Sequence, residues 1–85
     1  MRQVKVIDIR EKLARHYEAR VGDQGRELVR NPVLNCYGQE IAVLYALHGS
    51  PAKGYCLFIP ELRRLNFYDN MGTRFSQMSD VEVVP

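Results

Sequence analysis

Ile9, Leu13, Tyr17 and Val21 recur at every fourth position, with Ala14 beside them. Nothing else restricts the fold as strongly. Residues four apart stack on one side of an α-helix, and a stripe of this kind has to be buried against another element. The spacing predicts an amphipathic helix over residues 8–21. Asp8 is placed to accept from the amides of the first turn, and Glu11, three residues on, completes a pair of the capping-box type. Gly22 supplies the left-handed conformation that ends helices. Lys12, Arg15, His16 and Ala19 fall on the opposite side, where Glu11 and Arg15 form a favourable i,i+4 pair.

The rest of the chain reads as short extended segments between turn residues. Residues 3–7 alternate loosely and favour β-branched side chains, which predicts a first strand. Gly22-Asp23-Gln24-Gly25 reads as a turn, 26–30 as a short strand ended by Asn31-Pro32, and 33–37 as a second extension before Gly38. Residues 40–48 fit two templates. As a strand they are apolar on both faces and belong in the middle of a sheet. As a helix they place Ile41, Leu44, Tyr45 and His48 together, with Gly49 as the stop. The run is short for a helix and hairpin-like segments follow, so the strand is preferred.

A loop over 49–54 leads to a buried strand over 54–59 that stops at Pro60, and 61–64 form a helical turn or a bulged connection. Residues 65–68 and 73–75 flank Asp69-Asn70-Met71-Gly72 as a hairpin. Residues 76–80 read as a second polar turn and 81–84 as a last strand. Tyr55, Phe58, Phe67 and Phe75 take core positions by strand alternation.

One helix and four to six strands predict an α+β domain. The N-terminal helix packs on a small curled antiparallel sheet, SH3-like or a partly open barrel. Eighty-five residues make one domain, 1–85, with a single thin core. With 46% apolar and 26% charged residues the chain is too apolar for disorder. Its longest apolar run, residues 41–47, falls far short of the roughly 18 that a membrane-crossing helix needs. The first residues also lack the apolar stretch of an export signal. The expectation is a soluble cytoplasmic domain without membrane contact.

Two cysteines and two histidines raise the question of chemistry. Zinc sites deliver ligands in close pairs, whereas Cys36, His48 and Cys56 are spread apart and His16 sits on the helix, so no metal is expected. Two reduced, mostly buried thiols are the reading for a chain without an export signal. A nucleophile built from Cys36 with His48 as base and Asp69 or Asn35 orienting lacks any sign of a depressed thiol pKa, and the apolar surroundings of Cys56 raise its own. The Gly22–Gly25 turn has no Gly-Lys-Ser/Thr ending to hold phosphates. No enzyme activity and no cofactor are expected.

Binding remains. The net charge of +2 divides unevenly, with +3 on residues 1–30 and −1 on residues 31–85. Small curled sheets bind nucleic acids, and a basic helix with aromatic residues is compatible with that role. Acidic and basic residues are nevertheless interleaved, and the pI of 8.7 falls short of the usual footprint. Tyrosine and arginine dominate protein-interface hot spots, which favours a protein partner. The candidate contacts are Lys12, Arg15 and His16 on the helix, Arg63 and Arg64 after Pro60, and Tyr68 with Asn70 at the hairpin tip. Short edge strands also offer a second copy a place to pair. In size and style the chain resembles the adaptors and inhibitors that phages and mobile elements make. The reading is a non-catalytic adaptor, regulator or inhibitor that docks on a protein, with nucleic-acid binding by the basic helix as the alternative.

Overall fold

The computed structural model describes residues 1–21, 28–47 and 54–85, with the backbone alone for 17–21. The predicted turn at 22–25, residues 26–27, His48 and the loop over 49–53 lie outside the described residues, as do the side chains of Tyr17 and Val21.

Helix α1 spans Val6–Val21 and follows strand β1, Arg2–Lys5, without a break. It begins two residues before the predicted start because Asp8 acts from inside the first turn. The backbone N–H of Lys5 donates to Asp8 Oδ2 at 3.2 Å, so Asp8 supplies the reciprocal half of a capping box and is not the cap itself. Its carboxylate also sits at the positive end of the helix dipole. Ile9 and Leu13 are fully buried, as the stripe requires.

Five antiparallel strands form one meander in the order β2-β3-β4-β5-β6. They are β2 (Leu28–Leu34), β3 (Glu40–Leu47), β4 (Tyr55–Ile59), β5 (Arg64–Tyr68) and β6 (Arg74–Ser79). The α+β architecture is the expected one, and the sheet is open, not closed into a barrel, with β2 and β6 at its edges. Residues 40–47 do form an interior strand, apolar on both faces.

β2 corrects the break expected at Asn31-Pro32. The strand runs straight through, with Pro32 opposite Val43, because an edge strand loses no required ladder bond to the missing N–H. β6 corrects the polar turn expected at 76–80. Pairing from Phe67↔Ser76 to Arg64↔Ser79 keeps the segment extended, and the chain turns at Asp80, whose φ is 56°. A bulge opposite Phe67 and Tyr68 accommodates Phe75.

The last strand, β7 (Val81–Val84), leaves the sheet and pairs in parallel with β1, from Arg2↔Val81 to Lys5↔Val84. A parallel pair needs a long crossover, and here everything between the two strands serves as one. The N–H of Arg2 donates to the Asp80 carbonyl at 3.2 Å, and that of Val81 to the Arg63 carbonyl at 3.0 Å, which fastens the pair to one end of the sheet.

Two hairpins use the same loop chemistry. Asn35 Oδ1 accepts from the N–H groups of Tyr37 at 2.9 Å and Gln39 at 3.0 Å. Asp69 Oδ1 accepts from Met71 and Thr73, both at 2.9 Å. Gly38 and Gly72 hold φ of 80° and 79°, which a side chain would disfavour.

The core lies on one face of the sheet. Val43, Tyr45 and Leu47 of β3, Cys56 of β4, and Leu65 and Phe67 of β5 pack with Ile9 and Leu13 of α1 and with Val4 and Val81 of the terminal pair. Helix and terminal pair therefore share this inner side.

Candidate functional site

The expected contact residues divide between two surfaces. On the inner side, Lys12 and Arg15 line a cavity of about 370 Å³ whose floor is Val4, Ile9, Phe67 and Met78. The Lys12 ammonium lies 4.8 Å from the centre of the Phe67 ring, a cation–π contact over a buried aromatic. His16 stacks flat on Phe75 at 3.8 Å between ring centres. Arg2 joins the cations of this cavity, and Asp8 and Glu11 line it as well, so its charge is mixed.

A second inner cavity, about 400 Å³, lies towards β7, among Val6, Phe58 and Val83. Arg30 and Glu40 also line it and form an ion pair of 2.8 Å. The Glu40 carboxylate raises the Arg30 guanidinium above its ordinary pKa.

The outer face is where β5 presents Arg64, Asn66 and Tyr68 in alternation. Cross-strand pairing sets Leu44 beside Leu57, Leu57 beside Asn66, and Asn66 beside Gln77. One row further along, Ala46, Tyr55, Tyr68 and Arg74 stand side by side. The Tyr55 and Tyr68 rings stack at 4.8 Å with 21° between their planes. Tyr55 is thus corrected from the core to the outer face, because it is one residue out of phase with the buried Cys56. Leu44, Leu57, Tyr55 and Tyr68 are all half-buried, and Val29 and Val33 extend the surface towards the β2 edge.

Two polar atoms of this face are buried without a hydrogen-bond partner, Arg64 Nε and Asn66 Oδ1. Asn66 is 6% exposed, and an unpaired buried acceptor costs about 1–3 kcal/mol. Native structures retain few such groups, and among the described residues both of them lie on this face.

Arg63 and Asn70 sit at opposite ends of β5 and join neither surface. Arg63 ends the 3-10 turn Pro60–Leu62 in the left-handed conformation, φ 51°, and its N–H donates to the Pro60 carbonyl at 3.1 Å. Asn70 is exposed in the loop between β5 and β6. Sequence reasoning missed Leu44, Tyr55, Leu57, Asn66 and Arg74. The available signal was the second apolar phase in 40–47 and 54–59, which places half of each strand's hydrophobic residues outside the core.

The thiols take opposite positions. Cys56 is buried in the core, where desolvation pushes its pKa far up and keeps it protonated. Cys36, expected to be mostly buried, is exposed in the β2–β3 loop. Among the described residues no group of three or more His, Cys, Asp and Glu side chains is placed to hold a metal ion. No helix is long and apolar enough to cross a membrane among those residues. The chain matches no protein-family model, and neither the curated proteins nor the solved structures contain a match to it.

Proposed function

We propose that this chain is a non-catalytic docking module whose outer sheet face binds a protein partner, in the role of an adaptor, regulator or inhibitor. One observation carries the reading: the outer sheet face combines a stacked tyrosine pair with Leu44, Leu57 and an arginine whose Nε has no partner. Rigid aromatic area beside arginine is the composition of interface hot spots. The protonated, buried Cys56 fits a binding role of the kind phages and mobile elements employ. Edge-strand pairing with a second copy has less support, since Pro32 removes a donor from β2 and a bulge at Phe75 blunts β6.

The helix cavity favours a second reading, contact with nucleic-acid phosphates through Arg2, Lys12 and Arg15. Asp8 and Glu11 in the same lining weaken it. Affinity capture from bacterial lysate, with and without nuclease, separates the two. The docking reading expects a stoichiometric protein that survives nuclease and is lost with Leu57→Ala plus Tyr68→Ala. Capture that disappears on nuclease treatment, or that fails only in Lys12→Glu plus Arg15→Glu, sinks it in favour of the helix.

A further inference from the structure

We infer that the outer face receives a protein segment whose apolar side chains are flanked by carboxylates. The inference rests on the docking reading above and names the chemistry of the partner. The distribution of charge carries it. Among the described residues, Arg64 and Arg74 are the charged side chains of that face. The carboxylates of the described residues lie on α1, in the turns and on β7, and that of Glu40 is held by Arg30. The face is therefore uncharged in the middle, with Leu44 and Leu57 beside Asn66 and Gln77, and cationic at both ends of β5. Arg74 pairs with Tyr68, four residues beyond Arg64, which separates the two guanidinium roots by about 13 Å.

Arg64 Nε is a buried donor without an acceptor. A carboxylate matches a guanidinium in bidentate geometry, and removal from water strengthens such a bond. The same distribution disfavours the other occupants. A second copy packed face to face sets Arg64 and Arg74 against the same two arginines with no carboxylate from either face between them. A nucleic-acid strand finds two cations for its phosphates, and the tyrosine rings are stacked on each other instead of being free platforms.

The probe is a phage-displayed library of random twelve-residue peptides, selected on the full chain and on its Arg74→Glu variant. Selected peptides are then synthesised and their affinities measured by fluorescence polarisation. The expected winners on the unmodified chain place Asp or Glu beside Leu, Phe, Tyr or Trp. They bind Arg74→Glu about tenfold more weakly, and selection on the variant replaces their acids with Lys or Arg. Arg74 is exposed, so this variant keeps the fold, and thermal melting verifies it. Arg64→Glu, at a half-buried site, serves as the second reversal.

Winners without acidic residues that bind Arg74→Glu unchanged but fail on Tyr68→Ala overturn the partner chemistry and leave the docking reading standing. Winners indifferent to every outer-face substitution, or no winners at all, overturn both. A concentration-dependent dimer in sedimentation that excludes the peptides assigns the face to a second copy. A labelled single-stranded twelve-nucleotide oligomer that binds and is lost in Arg74→Glu assigns it to nucleic acid. Each of these last two results also overturns the inference.

Discussion

The two faces of the five-stranded sheet are made from alternate residues of the same strands, and they differ in what lies against them. On the inner face Leu65 and Phe67 are removed from water by α1 and the terminal pair β1–β7. On the outer face Asn66 and Tyr68, their immediate neighbours in sequence, belong to a surface with unsatisfied polar atoms and half-buried tyrosines. Period-2 alternation sorts residues between faces but does not decide which face is the core. The helix decides it. The inner face stabilises the fold, and the outer face is the one we propose for binding.

Inner-face substitutions test this division most severely. Phe67→Ala removes a ring that is 1% exposed and supports both Phe75 and Lys12, so it costs about 3–5 kcal/mol. That is a large part of what a domain of this size has. Urea unfolding followed by circular dichroism should show the transition moved far towards zero denaturant. The matching outer-face change, Leu57→Ala, trims a half-buried side chain, costs about 1–2 kcal/mol and leaves the chain folded. If the two variants lose equal stability, the outer face is a second core and the division fails.

How far the sequence foretold this division depends on the range of the interaction involved. Local signals were read well: the stripe through Ile9 and Leu13, the Asp69–Gly72 loop, and the strand nature of 40–47 with apolar residues in both phases. Arg64 and Tyr68, which the sequence singles out, fall on one face of β5. Two kinds of feature escaped. The parallel pair of β1 with β7 joins the two ends of the chain, and no local pattern encodes a partner that far away. The strand through Ser76 to Ser79 is polar at an exposed edge, and its conformation comes from the ladder with β5 and not from its own propensity. Tyr55 lies outside the core because both phases of 54–59 are apolar, and alternation alone does not say which of them the helix covers.

Asn66→Leu sharpens the comparison from the opposite direction. On the inner face a polar-to-apolar exchange has nothing to relieve, whereas here it deletes an acceptor that is buried and unpaired. Leucine has the same branched skeleton as asparagine, so the variant is expected to gain about 1 kcal/mol of stability. Thermal unfolding should rise by several degrees, as expected for a domain of this length. The same variant removes a polar group from the docking face, so a gain in stability with a loss of peptide binding identifies Asn66 as a residue kept for recognition. A fall in melting temperature would show that the Asn66 side chain contributes to the fold.

Arg74→Glu has the smallest effect on folding and is the most diagnostic for that reason. The side chain is exposed on the edge strand, opposite Tyr68, in a part of the sheet whose backbone pairing does not depend on it. Exposed substitutions of this kind change stability by less than about 0.5 kcal/mol, so the unfolding curve should overlay that of the unmodified chain. Under the proposed docking, this guanidinium beside a stacked tyrosine pair meets the acidic partner. An unchanged unfolding curve combined with weakened binding of acidic peptides would separate folding from recognition at a single residue, while a marked loss of stability would return Arg74 to the fold.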